Sequence, residues 1–235
     1  MPNSSQKFPK PSRNKDFKIN ILYEDEYIVV VDKPADLLVY LPAGKSYEST
    51  LKEIISKKIN INNQNERSGI VHRLDKETSG VLIIAKNINS EIRFKELFKS
   101  RKIKKKYLAL VWGKIEPSEA IIKIPLGRSS KDRLRVVPKA SGKTAKTKYK
   151  IIKYYKNLDC SLLEVEIETG RMHQIRVHLS SIGFPVVGDK RYSKKRTSLK
   201  RHFLHASEIS FLHPYLDKNI KIKSRLPRDL ESFLK

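Results

Sequence analysis

The stretch IVHRLDKETSGVLIIAK, which spans residues 70–86, joins a dense group of polar side chains to a compact apolar run. The apolar part, VLIIAK, is bounded by turn residues and is typical of a buried strand. The polar part ends at Gly80, directly ahead of that strand. The stretch therefore predicts a charged loop fixed to a rigid element, and the rest of the fold is read outward from it.

Upstream of this loop the sequence predicts two strands and a helix. The segment INILYEDEYIVVVDKP, at residues 19–34, has the β-branched and aromatic content of two short strands around an acidic turn. A helix is predicted at 49–59, because Thr50 and Glu53 have the spacing of a capping box and apolar residues recur on one face.

Downstream of the loop, strands outnumber helices and do not alternate with them regularly. Helices are predicted at 90–100, at 172–182 and after Pro227. Strands are predicted in YLALVWG (107–113), AIIKIPLG (120–127), TAKTKYKII (144–152), SLLEVEIE (161–168) and a hairpin formed by HFLHASEISFLHP (202–214) and IKIKS (220–224). This order predicts an α+β fold with a central mixed, mainly antiparallel sheet flanked by helices.

The charge of the chain points to a nucleic-acid partner. The 235 residues include 50 Lys and Arg against 25 Asp and Glu, which leaves a formal charge of +25. Residues 1–17 mix Pro, Ser, Asn and Lys without an apolar period, and predict a flexible basic tail ahead of a single domain at 18–235. The single cysteine, Cys160, excludes an intramolecular disulfide and fits a reducing cytoplasm. No apolar run approaches the length of a transmembrane helix, so we expect no membrane partner.

The loop HRLDKETSG, at residues 72–80, is the densest candidate for chemistry. It places an imidazole, a guanidinium and the carboxylate of Asp75 within four residues. A carboxylate in so cationic a chain is expected near an arginine, which would keep it ionised and oriented as a nucleophile or a base. The alternative is a solvated loop in which Asp75 only forms a turn.

Two further segments carry unexplained positive charge. In TGRMHQIRVH, at residues 169–178, Arg171 and Arg176 flank the predicted helix start, where a cation gains nothing from the helix dipole. They are explained either by an acidic partner, a carboxylate or a phosphate, or as exposed helix charges. In RKIKKKY, at 101–107, Tyr107 follows a basic run and either stacks on a base or lies in the core beside a solvated strand edge.

Metal chemistry finds no support in the sequence. His173 and His178 are five residues apart and His202 and His205 three apart, and neither pair has a thiol or carboxylate cluster beside it. We therefore predict hydrogen-bonding histidines and no metal site.

The sequences of these segments and their order resemble those of the RluA-type pseudouridine synthases, whose core motif reads HRLD, two variable residues and TSG. That motif stands here at 72–80. The resemblance continues through VDKPADLLV (31–39), KKYLALVWG (105–113), ETGRMHQIRVHLSSIGFPVVGDKRY (168–192) and HFLHASEISFLHP (202–214). It covers nearly the whole chain, and it implies the pseudouridine synthase catalytic fold with an active-site cleft.

The resemblance implies an isomerase that acts on uridine within structured RNA and needs no cofactor. Asp75 matches the essential aspartate of the motif, and it would act on the flipped nucleotide either as a covalent nucleophile or as a base. Tyr107 would lie against the uracil, and Arg176 would pair with Asp75 as the third catalytic residue.

The resemblance also suggests which residues face RNA. Arg73 would enter the RNA stack as the uridine leaves it, while His72 would support the loop beside it. Arg171, Lys105 and Lys106 complete the expected RNA-binding set. Many relatives carry a small RNA-binding domain ahead of the catalytic one, and we expect a form that lacks it and binds through its catalytic domain and tail. A monomer is the default expectation.

Several functions stay open. The RNA is expected to be ribosomal, with transfer RNA as the alternative. A non-catalytic RNA-binding or ribosome-assembly protein would equally explain the charge. A metal-dependent nuclease would need several carboxylates around one ion, and the acidic residues are scattered along the chain.

Overall fold

A computed structural model describes residues 17–41, 49–58, 69–132 and 134–235. The predicted tail at 1–17 lies outside these residues except for Phe17, which packs against the core. The strands are β1 (Asn20–Glu24), β2 (Ile28–Lys33), β3 (Ser79–Ala85), β4 (Lys104–Trp112), β5 (Glu119–Ile122), β6 (Leu126–Arg128), β7 (Val136–Pro138), β8 (Thr147–Tyr155), β9 (Cys160–Ile167), β10 (Leu204–Leu212) and β11 (Asn219–Lys223).

The helices are fewer and mostly short. They are α1 (Leu51–Lys58), α2 (Ile88–Lys99), α3 (Gln174–Ser181) and α4 (Arg228–Glu231), with 3-10 turns at Lys156–Leu158 and Ser232–Leu234. None of the helices in the described part of the chain is long and apolar enough to span a membrane.

Nine strands form one mixed sheet in the order β1-β2-β3-β10-β4-β9-β8-β5, with β11 paired to β10. Only the short contact between β3 and β10 is parallel, so the sheet is mainly antiparallel. β6 and β7 form a separate antiparallel hairpin beside α3. The predicted α+β class with helices flanking the sheet is confirmed.

The central position of β3 follows from its sequence. Every residue of SGVLIIA is buried, as the continuous apolar run predicts for a strand covered on both faces. Gly80 has φ 114, and a Cβ there would lie 2.2 Å from the carbonyl oxygen of Ala206 on β10. Only glycine permits this close approach, which fixes the loop ahead of β3 against the middle of the sheet.

The predicted helices are confirmed, with shifted boundaries. At α1 the backbone N–H of Glu53 donates to Thr50 Oγ1 and the N–H of Thr50 donates to the Glu53 carboxylate, both at 3.2 Å, which completes the predicted capping box. The helix α3 begins at Gln174, two residues later than predicted. His173 has a left-handed φ of 55, so the helix cannot extend back through it.

The apolar core lies on both faces of the sheet. The larger cluster joins α1 and the apolar side of α3 to β2, β4 and β9. The smaller one lies under α2, where Phe94 meets Phe211 edge to face at 5.3 Å. The two clusters cover both faces of the sheet, so the loops that leave its strands are attached to a rigid support.

Candidate active site

A cleft with a volume of about 650 Å³ opens where three chain segments meet. The loop at 71–78 forms its floor, the turn from α2 into β4 forms one wall, and the loop from β9 into α3 forms the other. All three segments singled out in the sequence line this cleft. The structure therefore brings together residues that lie about a hundred positions apart in the chain.

Asp75 lies in the floor and faces Arg176. Arg176 Nη1 donates to Asp75 Oδ2 at 3.0 Å, and the two side chains are 8% and 20% exposed. Leu74, beside Asp75, is buried in the main core, and the N–H of Thr78 closes a turn onto the Asp75 carbonyl at 3.1 Å. The carboxylate is therefore held both by its loop and by the arginine.

Arg176 also binds a second carboxylate, Asp189, that the sequence reasoning missed. Its Nε and Nη2 donate to Asp189 Oδ2 and Oδ1 at 2.7 and 2.9 Å. Asp189 Oδ1 in turn accepts the backbone N–H groups of Arg191 and Tyr192. Two nitrogens of the guanidinium thus bind the buried Asp189 bidentately, and the third, Nη1, binds Asp75. An acidic partner was expected for Arg176, and the structure gives it two.

The contacts with Arg176 favour the ionised form of both Asp75 and Asp189. Burial alone would raise the pKa of Asp75, but the nearby His173 and Arg176 hold the pKa below its ordinary value. Burial likewise opposes ionisation of Asp189, and the hydrogen bonds and charge of Arg176 keep its pKa low. Asp75 is therefore ionised at neutral pH, which both a nucleophile and a base require.

Tyr107 lines the cleft from β4 and is 6% exposed. Burial, and then the negative charge of Asp75, raise the pKa of its phenol far above the ordinary value. The hydroxyl is thus protonated at neutral pH and presents a ring with a polar end to anything bound in the cleft.

The lysines beside Tyr107 divide between the two faces of β4. Lys105 lines the cleft, where burial lowers its pKa to about 8, and its ammonium lies 5.7 Å from the centre of the Phe98 ring. Lys106 is not among the residues that line the cleft, and its Nζ donates to Glu164 of β9 at 2.9 Å. Side chains alternate along a strand, so the structure does not bring Lys106 to the predicted RNA side.

His72 and Arg73 behave differently although they are neighbours. His72 Nε2 accepts the backbone N–H of Ile83 at 2.8 Å, and burial, with a smaller effect of Lys105, lowers its pKa to about 3. It is neutral and supports the loop, so it offers RNA no positive charge. Arg73 is exposed, and its guanidinium lies over the Tyr40 ring at 4.9 Å while donating to the Tyr40 hydroxyl.

Arg171 lies on the opposite wall and has no acidic partner among the residues that the structure describes. Its Nε donates to the carbonyl of Thr144 at 3.0 Å. Three other cations line the cleft, Lys99, Arg101 and Arg128, and of these only Arg101 lies in a segment that the sequence singled out. We call these three residues, with Arg73, Lys105 and Arg171, the basic rim. Against it stand two acids in the lining, Asp75 and Glu168, so the cleft favours a polyanion.

Comparison with known proteins identifies the origin of this arrangement. A family model described as RNA pseudouridylate synthase matches residues 27–181. The chain belongs to this family. It is 36% identical over 225 residues to ribosomal large subunit pseudouridine synthase D of Nitrosomonas europaea, covering 92% of this chain and 64% of that relative. It is 39% identical to an RNA pseudouridine synthase of Aquifex aeolicus over 88% of this chain and 69% of the other. The chain thus spans about two thirds of the length of these relatives.

Solved pseudouridylate synthases share the fold. Human RNA pseudouridylate synthase domain containing 1 superposes with a TM-score of 0.72 at 28% identity, over 89% of this chain and 84% of that one. Human RNA pseudouridylate synthase domain containing 4 gives the same TM-score at 26% identity, over 90% of each chain. The resemblance inferred from the motifs is therefore confirmed for both family and fold.

In this family member a buried lysine holds the Asp75 loop through hydrogen bonds to backbone carbonyls. Lys33 at the end of β2 is fully buried, and its Nζ donates to the carbonyls of Pro34, Leu37 and Lys76 at 2.8 to 3.0 Å. Burial lowers its pKa to about 7. The sequence contained a signal for this contact, because the lysine of VDKPADLLV directly follows an apolar strand run. A lysine is buried at such a position only when hydrogen bonds satisfy its ammonium group.

The histidines of this chain make ordinary hydrogen bonds, as predicted. His178 bonds Thr147 Oγ1 and the Ile124 carbonyl, and His205 bonds Ser79 Oγ and the Ser224 carbonyl. Within residues 17–41, 49–58, 69–132 and 134–235, no three His, Cys, Asp or Glu side chains cluster in a way that could hold a metal ion.

Proposed function

We propose that this chain isomerises uridine to pseudouridine in structured ribosomal RNA, with Asp75, Tyr107 and Arg176 as its catalytic residues. The observation that carries the proposal is an ionised carboxylate, held by Arg176, at the floor of a cleft lined by the basic rim. An RNA chain supplies the polyanion that such a rim favours, and a flipped nucleotide fits a cleft of this kind.

The reaction is balanced within the nucleotide. The bond from ribose C1′ to N1 breaks, the uracil turns, C1′ bonds to C5, and the proton lost from C5 is matched by one gained at N1. Asp75 acts on the ribose, either by attack at C1′ or by removing the C2′ proton, and both routes use the ionised form. The Tyr107 ring stacks on the turning uracil.

The basic rim and the loop explain how the nucleotide reaches Asp75. Arg73 is exposed at the mouth of the cleft and can take the place of the uridine in the RNA stack, which recovers part of an unstacking cost of a few kcal/mol. Lys105 and Arg171 contact phosphates from opposite walls. We assign Lys106 no such role, because it pairs with Glu164 away from the cleft.

Ribosomal RNA is proposed as the substrate because relatives that share 36% identity are named ribosomal large subunit pseudouridine synthase D. Transfer RNA is the competing substrate. A monomer acting in the cytoplasm completes the proposal.

Two measurements test this function. RNA labelled with tritium at uracil C5 releases the label when C1′ bonds to C5, so we expect release with the wild type and none with Asp75→Asn. Asp132→Asn removes an exposed carboxylate paired with Arg191 and should behave like the wild type. Retained RNA binding without tritium release by the wild type would favour the non-catalytic RNA-binding alternative.

The second measurement identifies the substrate. Pseudouridines are mapped in total RNA from cells that lack the gene, with complementation by the wild type or by Asp75→Asn. Loss of a ribosomal RNA site, restored only by the wild type, supports the proposal. Loss confined to transfer RNA would replace the substrate, and a full set of pseudouridines in the deletion strain would refute the activity.

A further inference from the structure

Asp75 has a second neighbour, His173, on the oxygen that Arg176 does not use. Arg176 donates to Oδ2, whereas His173 Nε2 lies 3.9 Å from Oδ1. That distance is too long for a hydrogen bond, but it brings Nε2 of the imidazole next to the carboxylate. What the histidine presents there, an N–H or a lone pair, decides whether it attracts or repels Asp75.

The other nitrogen of His173 is bound by Tyr192. His173 Nδ1 lies 2.9 Å from the Tyr192 hydroxyl, which also accepts the backbone N–H of Val136 at 3.0 Å. With one lone pair of the hydroxyl occupied by that N–H, its own hydrogen is available for Nδ1. A hydroxyl that donates to Nδ1 leaves the imidazole proton on Nε2, facing the anionic oxygen of Asp75.

Tyr192 is itself held rigidly. Its backbone N–H donates to Asp189, its ring lies 5.2 Å from the Arg176 guanidinium carbon, and Arg135 approaches the same ring at 5.4 Å. The charged and titratable groups around His173 are Asp75, Arg176, Arg191, Asp189 and Tyr192. Burial lowers the pKa of His173; the charge of Asp75 opposes this effect and the charges of the two arginines add to it. The ring is therefore neutral at pH 7, with a single N–H to place.

We propose that Tyr192 is a positioning residue that fixes His173 as the Nε2–H tautomer, so that this N–H is aimed at Asp75 Oδ1 during the isomerisation. The inference rests on the proposed function and adds to it a Tyr192–His173–Asp75 chain opposite the Arg176 contact. Arg176 then bonds one oxygen of the carboxylate, and the His173 N–H points toward the other at 3.9 Å. The Val136 contact joins this chain to the hairpin of β6 and β7.

The tautomer is measured directly from ring-nitrogen chemical shifts in the full chain with isotopically labelled histidine. We expect His173 to be protonated at Nε2 in the wild type and to become a mixture of tautomers in Tyr192→Phe, which keeps the ring but removes the hydroxyl. His178 is the internal control. Its Nε2 faces the carbonyl of Ile124, which can only accept, so its tautomer should be the same in both proteins.

Kinetics provide the second readout. Single-turnover rate constants on RNA should fall about tenfold in Tyr192→Phe, the loss expected for one hydrogen bond, while RNA affinity stays within about twofold. Tyr154→Phe is the matched control, because its hydroxyl donates to Asp159 outside the cleft lining. It should leave the rate unchanged.

The proposal is overturned if wild-type His173 is protonated at Nδ1. It is also overturned if Tyr192→Phe slows the reaction with its tautomer unchanged, or changes the tautomer without slowing the reaction. Failure of the proposed function is recognised separately, because it would appear as wild-type protein without tritium release while the chemical shifts still report the tautomer.

Discussion

Replacing Asp189 by asparagine tests whether the buried acid behind Arg176 stabilises the fold. Asp189 is fully buried at its side chain and Arg176 is 8% exposed, so solvent screens their interaction little. An asparagine amide would turn N–H groups toward the guanidinium in place of a carboxylate oxygen. Breaking a buried pair by removing one partner costs about 3–5 kcal/mol. We expect the lower end, about 3 kcal/mol, because Arg176 keeps its bond to Asp75.

The effect is measurable as a shift of the melting temperature. For a chain of this size about 3 kcal/mol corresponds to a decrease of roughly 6–12 °C. Asp132→Asn is the matched control, since it breaks an aspartate–arginine pair by the same substitution on the surface, where the side chains are 36% and 47% exposed. We expect that variant to lose at most about 1 kcal/mol.

The pH dependence of stability shows which charge state of Asp189 stabilises the fold. The pKa of Asp189 in the fold lies below its ordinary value of 3.8, so the ionised form is the one that stabilises the fold. Its contribution is fully present above about pH 5 and fades as the pH falls below about 4. The difference between wild type and Asp189→Asn should therefore shrink in acid. Equal losses for Asp189→Asn and Asp132→Asn at pH 7 would refute the reasoning.

The remaining predictions concern residues of the loop and of β4. Lys105→Met should reduce the slope of log affinity for RNA against log salt by about 0.7–0.9, whereas Lys106→Met should leave it unchanged, as titrations at several salt concentrations can show. Because the pKa of Lys105 is about 8, RNA affinity of the wild type should decline between pH 7 and 9, and that of Lys105→Met should not. His72 has a pKa of about 3 in the fold, so unfolding takes up a proton and stability decreases as the pH falls below about 6.5. His72→Gln should make urea unfolding less dependent on pH by about 1.4 kcal/mol per unit between these limits, and an unchanged slope would contradict the burial of a neutral imidazole.

The sequence predicted elements whose signals are local. The apolar run of β3, the capping box of α1 and the alternation in β9 all act within a few residues, and each is present in the structure. The start of α3 was predicted two residues early, because the left-handed backbone of His173 is set by its tertiary contacts and has no glycine to signal it. Local patterns therefore located the elements and left some of their ends to packing.

In the site, too, local sequence patterns predicted some contacts and missed others. The helix dipole left two explanations for Arg176, an acidic partner or an exposed charge, and the family resemblance favoured Asp75 as a partner. Asp189 was missed because bidentate binding depends on a turn that no spacing rule specifies. The position of Lys106 outside the cleft lining could have been predicted from the strand. If Tyr107 faces the cleft, strand alternation places Lys105 beside it and Lys106 on the other face. Arg128 lies on a separate hairpin, and nothing local in the sequence joined it to the cleft.

The proposed function assigns catalysis and RNA binding to separate charges in this cleft. Arg176 is shared by two carboxylates, so the arginine at the centre adds little free positive charge to attract RNA. In the proposed function the attraction comes from the basic rim, where the Arg171 side chain donates to a backbone carbonyl and has no acidic partner among the described residues. Changes in the rim should therefore alter affinity and its salt dependence, while changes in the Asp75 network should alter the rate of the bound complex. Because Lys105 and Tyr107 are adjacent on one face of β4, substituting each in turn gives the most direct separation of the two effects.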